Sequence, residues 1–583
     1  MLLFLFCIFC LLLLYTPFVS GEGLANGLVM GKVFWIHLVM GIGYLALFVS
    51  LFQKKMLKLN VADGLLIAYY LSILLTYSWK LNPEPEKLAL ATQLIGLWFI
   101  LRQALTLYRP LAGFILLLLT LGGLSEALLG MAQLHGWALS NHSLFNITGT
   151  FYNPGPYSGY LALLLPICLS FTRHHKPFPK YYGWLCVMAI LLVLPAGMSR
   201  TAWLAALIGC GYLLYIGYRE KIQTFSRRYP KSLRVLLLAG CLLGMGCLYM
   251  GYHLKKDSAD GRFLLWKVTT EVITRHPLSG TGLGGFPAAY AQAQADYLQQ
   301  ATPREALVAG CPEYAFNEFL QIGAEQGVFS LSLFLLWLGS IGYYAKAQKR
   351  IEIIACLIGF ALFACASYPL QLPEFWLLLV SLGAIGVTSE SQAQTSLSPH
   401  LQKTSIGVLG TSILIGIYAF FCQKDYYPAY REWSRLQTLY QSQTYSSIAD
   451  EYLELASRLP HKPEVLFEAA QCQSKSGNPQ EAVRLLKRAT RLSADPMIHY
   501  MLAKNEQALC RYQEAEKTLL YALRILPERI YPYYLLAQLY ADLDYYQLEK
   551  LKAVADSVLT KEPKVNSSAI REMRENVRKL LLK

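Results

Sequence analysis

The residues able to do chemistry in this chain are a small set of cations. Arg200 stands in Ser199-Arg200-Thr201, between two apolar stretches, and Arg262, Lys267 and Arg275 follow within one longer polar stretch. An arginine fork matches two phosphate oxygens at once, and a lysine adds a point charge. Such a set suits a lipid pyrophosphate. It would hold the donor and stabilise the leaving pyrophosphate as negative charge develops. Arginine at membrane depth usually faces a bundle interior or a water-filled cavity. Snorkelling to the headgroups is the other reading of Arg200, and both stay open on residue type alone.

Two further segments carry shape more than charge. Gly149-Thr150-Phe151-Tyr152-Asn153-Pro154-Gly155-Pro156-Tyr157-Ser158-Gly159-Tyr160 is a Gly/Pro/aromatic stretch entering a helix. Tyr157 suits stacking on a sugar ring and Asn153 suits a hydroxyl, although an interfacial aromatic belt has the same composition. The run Arg275-His276-Pro277-Leu278-Ser279-Gly280-Thr281-Gly282-Leu283-Gly284-Gly285-Phe286 brings backbone close to a ligand or makes a flexible loop. It is not a nucleotide-phosphate loop, since no Gly-Lys-Ser/Thr follows. No Cys/His spacing suits zinc, and neither a cofactor nor a metal is expected.

These residues need elements to hold them, and composition says which. The chain has 583 residues, 55% hydrophobic and 15% charged, against about 25% charge in a soluble domain. An ordinary soluble enzyme and a disordered chain are both excluded. Thirteen runs are long and apolar enough to be candidate spans, at roughly 2–19, 30–52, 61–78, 87–107, 110–134, 158–172, 181–198, 201–218, 235–252, 326–345, 351–368, 373–388 and 405–422. No Lys or Arg precedes the first run, so it is read as a retained helix. With the N-terminus inside, the inner loops collect Lys54, Lys55, Lys58, Arg102, Arg109, Arg173, Lys176, Arg219, Lys346 and Arg350 among others. The formal net charge of +15 therefore reports orientation, and nucleic acid is not an expected partner. The segments 135–157 and 253–325 fall outside the cytoplasm, as does the tail.

The tail differs in kind. Residues 424–583 hold 24 Lys/Arg and 20 Asp/Glu, a soluble level of charge. Ala470, Ala482, Leu486 and Ala489 recur as Ala503, Ala515, Leu519 and Ala522, with Ala449, Leu453 and Ala456 one period earlier. Pro463, Pro496 and Pro527 punctuate the units, each read as ending a second helix. Small residues at these places let paired helices approach closely. The pattern resembles the tetratricopeptide repeat, which implies an α-solenoid over about 430–563. Its simplest role is to bind a protein partner, and its sharper one is to influence acceptor choice.

Together the segments resemble the O-antigen ligase and O-antigen polymerase superfamily over about residues 85–345. The marks are Gly149–Tyr160, Ser199-Arg200-Thr201, Gly261-Arg262 with Trp266, His276-Pro277…Gly282-Leu283-Gly284…Phe286, and Ala315-Phe316-Asn317-Glu318-Phe319-Leu320-Gln321 with Glu325 and Gly327. The resemblance implies a metal-independent inverting glycosyltransferase of the bacterial inner membrane. Its donor would be a polyprenyl-pyrophosphate-linked glycan used on the periplasmic side. Arg200 and Arg262 match the arginines expected to contact the donor, and Asn317 keeps the family's Asn. The family's His position is Phe316 here, so that role does not carry over. Glu313, Glu318 and His276 are the candidate substitutes, a carboxylate acting as general base if its geometry fits. Glu313 or Glu318 is the favoured base; the alternatives are that no strong base is needed or that this branch has changed activity.

The expectation is thus an all-α polytopic membrane protein. About 12–13 transmembrane helices over 1–423 precede a periplasmic repeat domain over 424–583. The chain is expected to transfer a glycan to an acceptor hydroxyl of a lipid, a second glycan or a protein. A lipid-glycan transporter and a membrane-anchored scaffold are the alternatives from other classes.

Overall fold

Long apolar runs bury their backbone polar groups most simply as helices, which satisfy every N–H and C=O internally. In the computed structural model the chain is all-α, with no strand among the described residues. These are residues 1–78, 84–231, 235, 238, 240, 256–389, 398–563 and 567–582. Twelve of the thirteen expected spans coincide with helices: Leu2–Leu14, Gly27–Ser50, Val61–Ser78, Pro85–Leu107, Leu111–Leu134, Pro154–Phe171, Pro177–Val193, Arg200–Gly217, Glu318–Ala347, Ile351–Ala364, Pro373–Val387 and Pro399–Gln423. Of the expected span 235–252 all but residues 235, 238 and 240 lie outside the described residues. Among the described residues, six helices are long and apolar enough to cross a membrane: Gly27–Ser50, Pro85–Leu107, Leu111–Leu134, Arg200–Gly217, Glu318–Ala347 and the one beginning at Pro399. Five further apolar helices are shorter.

Local chemistry sets several helix starts. Asn153 caps Pro154–Phe171, its Oδ1 accepting from the Gly155 N–H at 3.0 Å, and Pro154 fills the first position, where no N–H is needed. Asn317 caps Glu318–Ala347 by accepting from the N–H groups of Phe319 and Leu320, each at 3.1 Å. That helix breaks at Gly327, whose φ of 84° and ψ of 168° an L side chain avoids.

The chain divides into two compact units that do not follow chain order. One gathers Met1–Ser78, Pro85–Leu254 and Phe316–Tyr427. The other gathers Trp79–Glu84, Lys255–Ala315 and Pro428–Lys583. Most of the expected outer loop 253–325, from Lys255 to Ala315, therefore belongs with the tail.

The core of the first unit is one contiguous apolar cluster in which Trp98 meets Trp337, ring centroids 5.5 Å apart. One cation assigned to an inner loop is found inside it. Arg102 is fully buried within Pro85–Leu107 and holds both carboxylate oxygens of Asp63, at 3.1 and 3.0 Å. Trp98 Nε1 donates to the same carboxylate at 2.7 Å. Charge alone put Arg102 at the membrane surface, but a bidentate partner makes its burial tolerable.

In the second unit the tail is a succession of short helices: Ala449–Arg458, Pro463–Lys475, Pro479–Ala489, Pro496–Ala508, Tyr512–Ile525, Ile530–Tyr540, Leu548–Thr560 and Ser568–Leu581. Every small or Leu position named above from Ala470 to Ala522 is buried. Pro463 and Pro496 open helices rather than end them, standing at the first position. Proline fits there because its missing N–H would have had no intrahelical acceptor.

Candidate functional site

In the first unit, three of the sequence motifs meet through a chain of buried contacts. Arg200 is the first residue of its helix, after Ser199. A cation at the positive end of a helix dipole is disfavoured unless an anion offsets it. The turn before it presses on the Gly/Pro/aromatic segment. A Cβ at Gly197 would lie 1.9 Å from Ser158 Oγ and 3.3 Å from its Cβ, so a side chain there would have to displace the Ser158 hydroxyl.

That segment is anchored at its other end by charge. Lys32 Nζ donates to the Thr150 carbonyl at 3.1 Å and to Glu374 Oε1 at 2.5 Å, with the side chains of the pair 2% and 1% exposed. The ammonium also lies 5.1 Å from the centroid of the Phe151 ring. Glu126 accepts from both the Thr150 N–H, at 3.1 Å, and the Thr150 hydroxyl. From Glu374 the contacts continue along its own helix. Trp376 Nε1 donates to the Leu370 carbonyl at 2.7 Å, and the Leu370 N–H donates to Glu318 Oε1 at 2.7 Å. Gln371 Nε2 reaches Glu318 Oε2 at 3.1 Å. Thus a polar framework runs from Gly149–Tyr160 through Lys32 and the Glu374 helix to Glu318, while the turn before Arg200 meets the same segment by close packing at Gly197.

This framework assigns several expected residues a holding role in the structure. Tyr157 is wholly buried and its hydroxyl donates to the Glu126 carbonyl at 3.1 Å. Asn153 and Asn317 are helix caps. Glu318 is buried with both oxygens engaged by the turn before Pro373. Phe316, at the family's His position, has φ +49° and packs edge-on against Tyr368 with centroids 5.2 Å apart. Sequence reasoning missed Lys32, Glu126 and Glu374. Their signal was present as lone charges inside apolar runs, which rarely survive without partners.

The second unit carries the other expected residues. Helix Lys256–Arg275 presents Arg262, Lys267 and Arg275, and His276 follows, exposed, just past its end. Lys267 pairs with Glu305 at 3.1 Å and lies 4.9 Å from the Tyr297 ring centroid. The Thr302 N–H and the Tyr297 hydroxyl hold the Glu305 carboxyl down at about 2, so that partner stays ionised. Arg275 bridges Glu271 at 2.6 Å and Asp296 at 2.8 Å. An incoming phosphate at either cation would compete with these carboxylates. Arg262 is half-buried one turn before Trp266, whose ring N–H is buried without a hydrogen-bond partner. The glycine run is a built turn, with Gly280, Gly282 and Gly284 all at positive φ. A Cβ at Gly284 would meet Glu84 Cδ at 2.5 Å. Glu313 is exposed in the segment after Pro303–Val308.

So Asn153, Tyr157, Arg200, Asn317 and Glu318 belong to one unit, and Arg262, Lys267, Arg275, His276 and Glu313 to the other. No curated protein matches the chain. Residues 184–335, which include eight of these ten positions and leave out Asn153 and Tyr157, match the model of a family described as O-Antigen ligase.

Proposed function

We propose that this protein transfers a glycan from a polyprenyl-pyrophosphate donor to an acceptor hydroxyl on the periplasmic face of an inner membrane. The observation that carries this reading is the O-antigen ligase family match over 184–335, which spans Arg200 and Arg262. The apolar helices support a multi-pass membrane protein. In this reading Arg200 and Arg262 bind the pyrophosphate and stabilise it as it leaves. Lys267 and Arg275 supply field from charges already partnered by Glu305, Glu271 and Asp296. Glu313 is the base we carry forward. It is exposed, whereas Glu318 is buried and engaged by Leu370 and Gln371. His276, also exposed, is the comparator.

The acceptor decides between a ligase, a polysaccharide polymerase and a protein O-oligosaccharyltransferase. Reconstitution with a defined lipid-pyrophosphate oligosaccharide and three acceptors separates them: lipid A core, a second lipid-linked repeat and a protein. Arg200→Ala and Arg262→Ala are each expected to abolish transfer while the protein still inserts. Wild-type transfer by both variants would refute the donor assignment. Glu313→Gln should lower kcat about a hundredfold if Glu313 is the general base, and His276→Ala should not.

A further inference from the structure

The long polar segment and the C-terminal helices form a single compact unit, although more than a hundred residues separate them in the chain. The contact has a specific centre. Gln294, on helix Phe286–Tyr297, is completely buried. Its Nε2 donates to the Ile525 carbonyl at 2.8 Å and to the Gly310 carbonyl at 3.0 Å. Ile525 is the last residue of Tyr512–Ile525, where carbonyls have no intrahelical donor. The amide therefore satisfies a helix end in the tail and, with its second hydrogen, the backbone close ahead of Glu313. Phe286, Tyr290, Ala291, Ala293 and Ala295 of the same helix are buried around it. Asp296, two residues on, accepts from Arg275 at 2.8 Å. One short helix thus links a cation of the loop to the tail.

We propose that the C-terminal helical array is a platform for this chain's own segment 255–315, with Gln294 as the positioning residue that joins them. The array's first partner is then intramolecular, and its function is to hold the loop bearing Arg262, Lys267 and Arg275 in one shape. The role of that loop in donor binding rests on the reading given above. The joining itself does not. A topological consequence follows. Hydrogen-bonded, buried contacts cannot extend across about 30 Å of hydrocarbon, so the loop and the tail lie on the same side of the membrane, however many spans separate them.

Single cysteines placed at Leu278 and Leu543, which are 78% and 94% exposed, test this in the full-length protein. A membrane-impermeant maleimide is applied to spheroplasts and to inverted vesicles, and labelling is read above the wild-type background. Both Leu278→Cys and Leu543→Cys should label in the same preparation. Labelling from opposite sides overturns the proposal. This arm needs no transferase activity, so its failure is distinct from failure of the functional reading. In the second arm, Gln294→Ala should raise the KM for the lipid-linked donor about tenfold, by loosening the loop, with the acceptor KM unchanged. Equal donor KM in a folded Gln294→Ala protein also overturns it. If that variant does not fold, the labelling result decides.

Discussion

At the residue scale the buried pair Lys32–Glu374 is the clearest case of a partner deciding what a residue is. Each charge alone in an apolar interior would be costly. Together, with the Thr150 carbonyl as a further acceptor, they fix the Gly149–Tyr160 segment. Lys32→Met leaves Glu374 uncompensated and should cost about 3–5 kcal/mol of stability. Lys32→Met combined with Glu374→Leu should recover most of it, as read by thermal unfolding in detergent. A double variant no more stable than the single would argue against the pair. Phe316 makes a second residue-scale prediction. Its φ of +49° is a conformation in which His is enriched, so Phe316→His should fold normally and raise the transfer rate above pH 6.5. An unchanged rate would indicate that no base acts at this position.

At the element scale, backbone conformation shapes the segments that carry the site. The turn through Gly284 delivers the chain into helix Phe286–Tyr297, on which Gln294 and Asp296 lie. With φ +81° and Glu84 where a Cβ would go, Gly284→Ala should destabilise by about 1 kcal/mol or more. Gly285→Ala meets the Thr281 carbonyl at 2.5 Å and should behave alike, whereas Gly339→Ala, with open space around it, should not. Thermal unfolding of the three variants side by side checks this. The element most legible from sequence was the helix start. Asn153-Pro154 and Asn317-Glu318 are cap followed by first turn in the structure, a role open to a sequence reading because capping is a contact between near neighbours, although residue type had suggested a sugar contact for Asn153. The least legible were the site roles of Tyr157 and Glu318. Residue type suggested ligand contacts, while packing turned both toward the protein's own backbone.

At the scale of the whole molecule, the tail's stability should respond to pH through His499. Burial pushes its imidazole down to about 4, from about 6.5 in an unfolded chain. Between those values the unfolded state binds the extra proton. Stability is therefore full above pH 6.5 and falls as the pH drops toward 4, by at most about 1.4 kcal/mol per unit. Glu464, Glu468 and Glu506, whose carboxyls burial raises, work in the opposite direction. The difference between wild type and His499→Leu isolates the histidine. Its unfolding midpoint should lose part of its acid dependence in that variant, and an unchanged slope would contradict the assignment.

Much of this molecule is determined by properties that a short stretch of chain already possesses. Apolar run length sets the helices. The spacing of Ala470, Ala482 and Ala489, repeated at Ala503, Ala515 and Ala522, sets the alternation of small buried positions in the tail. The motifs around Arg200, Arg262 and Asn317 were likewise visible as residue types in order. What only the tertiary structure decided are pairings between distant positions: Lys32 with Glu374, 342 residues apart, and Gln294 with Ile525, 231 residues apart. Periodicity and capping are local, so they survive in a one-dimensional reading. A buried charge or amide needs a partner, but which partner it finds depends on which helices pack together.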